Sequence, residues 1–223
     1  MQPHWRKAER AFLVLLLLLP LPSFSWTQHA ASNDQVTVWT EQRAGKPFRT
    51  VRAEAVIALP ILPLLQILQD AGAQKHWLPY THKVEVLQQP TPLQTRVRFE
   101  TTARWPFAAR DAVTLFVVSQ PDPNSILIDM RNQPDTFPAQ KRVERIQQAE
   151  GYWQLTALEN CHTRVRYEAG NRWGGTVPQW LVDKMNARIA ATALQNLQQW
   201  APAQIRNHSA ADFLQEVPAH ADC

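Results

Sequence analysis

The sequence predicts an α+β fold, a curved antiparallel sheet closed by one long C-terminal helix. Three observations predict it. From Val177 to Trp200 the apolar side chains recur at helical spacing. Between Val36 and Ala169 short segments alternate apolar and polar residues, with turn signals between them. One short amphipathic helix, Pro60 to Ala71, interrupts that series. Strands followed by a single apolar-faced helix enclose volume instead of filling it.

The first 25 residues stand apart from the fold. His4, Arg6, Lys7 and Arg10 make a basic start, and Ala11 to Leu19 is unbroken apolar sequence. Pro20 and Pro22 break it, and Ser23-Phe24-Ser25 places small residues for a cut before Trp26. That is the layout of a secretory signal peptide. The alternative is an uncleaved anchor, but the run is shorter than the ~20 residues a bilayer span needs. Expected boundaries are therefore a leader over 1–25, one domain over 26–203 and a tail over 204–223. Export across the inner membrane to the periplasm follows as the expected location.

The leader holds Arg6, Lys7, Arg10 and Glu9, so it accounts for two of the four net positive charges. The densest remaining basic cluster is Lys141-Arg142 with Arg145, diluted by Glu144. A nucleic-acid partner needs a basic face and is not expected. Cys161 and Cys223 both lie in the exported part, where an oxidising compartment permits a disulfide. The alternative is two free or intermolecular thiols.

Thr27 to Gln35 is polar and reads as frayed. Val36 to Gln42 and Phe48 to Leu59 alternate as strands, with Gly45-Lys46-Pro47 turning between them. In Pro60 to Ala71, Ile61, Leu64, Leu65 and Leu68 share a helical face, and Gly72 reads as the stop. Strands are then expected over Lys83 to Gln88, Leu93 to Thr102, Ala112 to Ser119, Ser125 to Arg131, Arg142 to Gln148, Tyr152 to Leu158 and Thr163 to Ala169. Arg104 to Arg110 and Asn132 to Pro138 read as loops. In the final helix Val182, Met185, Ile189, Ala193, Leu197 and Trp200 form one stripe. Beyond it, one further helical turn is expected near Ala210 to Leu214.

Catalytic signatures are missing. His76 and His82 are not spaced as zinc ligands, and there is no HxH, HExxH or CxxC. There is no Gly-x-Ser-x-Gly elbow. Gly174-Gly175 precedes the long helix but lacks a third Gly and a Lys-Ser or Lys-Thr pair, so it reads as a tight loop and not a phosphate cradle. No metal and no cofactor are expected.

Four segments carry a family likeness. Trp105-Pro106-Phe107 followed by Arg110-Asp111-Ala112-Val113 resembles the "PFP…DRDF" region of START domains, lipid-transfer domains related to the steroidogenic acute regulatory protein. Gly151-Tyr152-Trp153 is similar to the family's Gly-Tyr-Val segment, and Thr163-Arg164-Val165-Arg166-Tyr167 to its "TKVTY" strand. Val177-Pro178-Gln179-Trp180-Leu181-Val182 resembles its "IPKWLVN" helix start. The four fall in register across residues 48–200. The resemblance implies a helix-grip fold, a U-shaped sheet wrapped around the C-terminal helix, with a cavity for one hydrophobic ligand. It implies non-catalytic lipid binding or transfer, transient membrane contact, and a gate at Trp105 and Phe107. Two departures bear on the ligand. Ala112 stands where the family carries an aromatic residue, and Phe116 stands where some sterol-binding members carry a basic one. A sterol preference is therefore not carried over.

Alternation then nominates inward residues: Val97 and Phe99; Thr114, Phe116 and Val118; Trp153 and Leu155; Val165 and Tyr167. From the last helix come Met185, Asn186 and Ile189. Asn186 and Asn196 place amides in or beside an apolar stripe, where each needs a partner in the ligand, the backbone or water. Arg110-Asp111 reads as a structural pair bracing the loop. Two other functions compete: an enzyme of the wider helix-grip superfamily acting on a hydrophobic substrate, and a cavity-less interaction module. Ligand-facing titratable groups would mark the first, and an exposed apolar patch the second.

Overall fold

The computed structural model describes residues 26–33, 35–102 and 108–207. The element order is β1 Thr27–Asn33, β2 Val36–Gln42, β3 Arg49–Ile57, α1 Ile61–Gln69, α2 Ala71–Trp77, β4 Thr81–Thr91 and β5 Gln94–Thr101, then β6 Ala109–Asp122, β7 Ser125–Asn132, β8 Val143–Arg145, β9 Gln148–Ala157, β10 Thr163–Arg172 and α3 Gln179–Trp200. The strands form one sheet in the order β1-β2-β3-β10-β9-β7-β6-β5-β4, with β8 laid beside β6. Helix α3 crosses β2, β3 and β10 and packs on α2. Among the described residues no helix is long and apolar enough to cross a membrane.

Several expectations need correction. Thr27 to Gln35 is not frayed: Thr27–Asn33 is an edge strand, antiparallel to β2. Its ladder is backbone to backbone, so it forms without the apolar alternation that sequence reading requires. The expected helix over Pro60 to Ala71 is two helices. Gly72 does not stop it, because Asp70 restarts the chain: its Oδ1 accepts from the Gly72 N–H at 2.8 Å and from the Ala73 N–H at 3.2 Å. The expected strand Arg142 to Gln148 splits into β8 and the start of β9. β8 pairs parallel to β6, so the sheet is not wholly antiparallel. Ala109 and Arg110 belong to β6, not to a loop. Ala201–Asn207 is a 3-10 turn, and the turn expected near Ala210 lies outside the described residues.

The sheet's inner face has a filled half and a hollow half. In the filled half Ile57, Leu64, Leu65, Leu155, Val165, Leu194 and Leu197 are completely buried. The α1 leucines and the C-terminal half of α3 close over them. Gly151 lies on β9 opposite Ala169. A Cβ there would come within 2.5 Å of the Glu168 carbonyl oxygen, which is the physical reason for Gly before Tyr152.

The outer face carries buried charge. Arg110-Asp111 is not a mutual brace, because successive strand residues point to opposite faces. Asp111, 2% exposed, accepts from Arg98 Nε at 2.7 Å and from Arg145 Nε at 2.6 Å and Nη2 at 2.9 Å. Arg145 also donates to the carbonyls of Pro134, Phe137 and Pro138. The strap between β7 and β9 is thereby clamped to the sheet. Burial alone would raise the Asp111 pKa, but hydrogen bonds from Arg145 and Arg98 outweigh it and hold the carboxyl below the usual range. Glu168 is a second such node, accepting from Arg43, Arg52 and the Tyr152 hydroxyl.

Candidate ligand cavity

The hollow half exists because alternation brings long and short side chains to one face. Along β5, Thr95, Val97 and Phe99 point inward; along β6, Ala112, Thr114, Phe116 and Val118 do so. The ladder sets Phe99 opposite Ala112 and Val97 opposite Thr114. Ala112, Ala149, Ala169 and Gly170 line the space without filling it. No large side chain crosses from α3, whose inner residues here are Met185, Asn186 and Ile189.

Two adjoining compartments result. The deep one, about 190 Å³, lies under α2 and is lined by Leu68, Trp77, Leu93, Val97, Phe116, Val118, Ile128, Met130 and Trp153 among others. The outer one, about 330 Å³, lies beneath the first turns of α3 and includes Tyr80, Thr101, Thr102, Arg110 and Trp173. Leu78, Phe99, Ile146, Tyr167, Ala169, Gly170 and Asn171 line both. Aromatic rings shape the deep wall. Trp153 packs 4.5 Å from Tyr167 and edge-on to Trp77 at 5.7 Å, while Phe99 meets Phe116 at 5.8 Å.

Ten of the nominated residues line these compartments: Val97, Phe99, Thr114, Phe116, Val118, Trp153, Tyr167, Met185, Asn186 and Ile189. Leu155 and Val165 do not, and this corrects their nomination. They share the inner face with Trp153 and Tyr167, but they are completely buried in solid core. Trp105 and Phe107 lie outside the described residues, although Thr102 and Ala108 on either side line the outer compartment. Cys161 is not a free thiol, and Cys223 lies outside the described residues. Sequence reading misses Gln74, Trp77 and Leu78, because Gly72 reads as the helix end. It also misses Ile128, Met130, Asn132, Ile146 and Asn171; the inward alternation of β7 is the available signal for the first three.

Some polar groups at the cavity are paired, while Gln74 Oε1, Trp77 Nε1, Arg110 Nε and Asn132 Oδ1 are buried without a hydrogen-bond partner among the described residues. Asn186 Nδ2 donates to Asn171 Oδ1 at 3.1 Å. Asn196 is not in the cavity; its amide donates to the Trp77 carbonyl at 3.1 Å and ties α3 to α2. Arg110 donates to Glu144 at 3.0 Å and to the Ala108 carbonyl at 2.9 Å, and its guanidinium stacks 4.9 Å from the Trp173 ring centre. Tyr167 keeps some surface, but that surface faces the hollow. Burial pushes its phenol up to about 12. Among the described residues no group of three or more His, Cys, Asp or Glu is placed to hold a metal.

No family model matches the sequence. An uncharacterised protein of Pseudomonas aeruginosa is 20% identical over 169 residues, 75% of this chain and 83% of that protein. The likeness to solved structures is stronger. A STAR-related lipid transfer protein from Xanthomonas axonopodis superposes with a TM-score of 0.73 at 25% identity, over 79% of this chain and 98% of that one. Human StAR-related lipid transfer protein 5 gives 0.70 at 18%, over 81% and 88%. A Streptomyces aromatase/cyclase gives 0.52 at 16%, over 73% and 99%. The strand order, the long closing helix and these superpositions agree: the chain has the START-domain fold, a helix-grip arrangement.

Proposed function

We propose, from the START-domain fold of this chain, that the protein binds a lipid or other hydrophobic small molecule in its cavity and carries it without covalent catalysis. One observation carries the reading: two adjoining compartments lined mainly by apolar side chains and left unfilled by them. Each methylene moved from water into such a space contributes about 0.8 kcal/mol. About ten of them contribute roughly 8 kcal/mol, set against an association cost of similar size. A carrier needs that near-balance, because it must also release.

Access is proposed at the outer compartment, with Trp105 and Phe107 as its gate, since the segment holding them starts and ends on that lining. Transient membrane contact at this end and a periplasmic location complete the proposal; the leader-like residues 1–25 support the second. The non-catalytic reading draws support from Tyr167. A phenol pushed up to about 12 stays protonated near neutral pH and serves as a hydrogen-bond donor instead of a general base. The test is native mass spectrometry of the protein purified from its host, followed by solvent extraction. A copurifying hydrophobic molecule is expected, and a reproducibly empty protein that also refuses added lipids would overturn the proposal.

A further inference from the structure

The cavity's polar groups restrict what can lie in it. Among the described lining residues the charged ones are Arg110 and Glu150. Arg110 is bonded through Nη1 and Nη2 to the Ala108 carbonyl and Glu144, which leaves only its Nε–H buried without a partner, and Glu150 is bonded by Lys46. Each is already beside an opposite charge, so neither adds net charge to meet a phosphate or an ammonium inside. A charged headgroup drawn into this space would lose its water without gaining a partner. The uncharged groups differ. The hydroxyls of Tyr167, Thr95 and Thr114 line the deep compartment and have no hydrogen-bond partner among the described residues. Tyr167 is the most exacting of them. It stands where the two compartments meet, its ring fixed against Trp153 at 4.5 Å, so the hydroxyl is presented in one place.

We infer that the cavity selects a neutral ligand carrying one oxygen part-way along an apolar body, an alcohol, ketone or ester, and that the Tyr167 hydroxyl donates a hydrogen bond to that oxygen. This deepens the proposed function and rests on it. The apolar portion fills the deep compartment beneath Trp77 and Phe116, and the remainder lies in the outer one beside Asn171 and Asn186. Burial keeps the phenol protonated, so the donor persists at any physiological pH.

The experiment compares three chain-matched probes, n-decanol, decane and decyl phosphate, by displacement of an environment-sensitive fluorophore. Each is titrated into the wild-type chain and into Tyr167→Phe, which keeps the ring and its stack on Trp153 and removes one oxygen. The thermal midpoint of the variant is measured alongside, to separate lost folding from lost binding. Decanol is expected to bind the wild type more tightly than decane or decyl phosphate. Tyr167→Phe should weaken decanol about five- to tenfold and leave decane unchanged, the size of one neutral hydrogen bond. Equal affinity for decanol and decane, a preference for the phosphate, or a decanol affinity indifferent to Tyr167→Phe would overturn the inference and leave the carrier reading standing. Failure of the wild type to bind any probe would overturn both.

Discussion

Replacing Asp111 by Ala tests whether the outer face holds the cavity together. In the native protein Asp111 takes three hydrogen bonds from two guanidinium groups. Those partners are themselves buried, Arg98 at 3% exposure and Arg145 at 7%. Glu100 still holds Arg98 at 2.5 Å in the variant, whereas Arg145 keeps only backbone carbonyls. Removing one partner of a buried ion pair costs about 3–5 kcal/mol, because the other charge stays behind without water. For a domain of this size that is a fall of about 6–20 °C in the thermal midpoint. Denaturant titration by tryptophan fluorescence measures the free energy, and calorimetry the midpoint. The effect should also reach binding, since the Ile146 N–H bonds the Asp111 carbonyl at 2.8 Å and Ile146 lines both compartments. Acid titration gives an independent check with a fixed sign. A carboxyl whose folded pKa is depressed contributes its full stability above the ordinary carboxylate value and loses it as pH falls through the folded one. The wild type should therefore weaken steeply below about pH 4, and Asp111→Ala less so. A loss under about 1 kcal/mol, the range of an exposed pair, or identical acid profiles, would refute the clamp.

Phe116→Arg brings a charge into the deep compartment beside Phe99 and should weaken an apolar probe by at least about tenfold; unchanged occupancy in a folded variant would remove Phe116 from the wall. Asp70→Ala deletes the cap of α2 and should cost about 1 kcal/mol, read as a drop of roughly 2–4 °C in the thermal midpoint; an unmoved midpoint counts against the cap. Gly151→Ala sets a methyl 2.6 Å from the Ala169 Cβ and 2.5 Å from a sheet carbonyl. Met130 can move aside but the ladder cannot, so a loss of about 1–3 kcal/mol is expected in denaturant titration, and a neutral outcome would mean the sheet spreads freely there.

What was legible in the sequence was periodicity, and what was not was cover. The α3 stripe and the inward sets on β5, β6 and β10 follow from spacing alone, so Val97, Phe99, Thr114, Phe116 and Tyr167 could be named before any contact was known. Trp153 and Leu155 show the boundary of that method. They lie two residues apart on the same strand and face, and the ladder pairs them with Tyr167 and Val165. One pair lines a hollow and the other lies in solid core, and the helices packed on this face, α1 and α3, are not part of their local sequence. The same argument covers Asp111. A reading confined to neighbours pairs it with Arg110, yet strand geometry sends the two to opposite faces and gives Asp111 to Arg98 and Arg145, 13 and 34 residues away. The α2 wall was lost for a local reason: glycine at position 72 argues for a stop, but a carboxylate two residues earlier offers the backbone N–H groups a better bargain than ending. Alternation therefore says which way a side chain points. Whether it meets a helix, a hollow or solvent depends on elements far along the chain, and that is why the cavity-lining residues had to be separated from the core by structure.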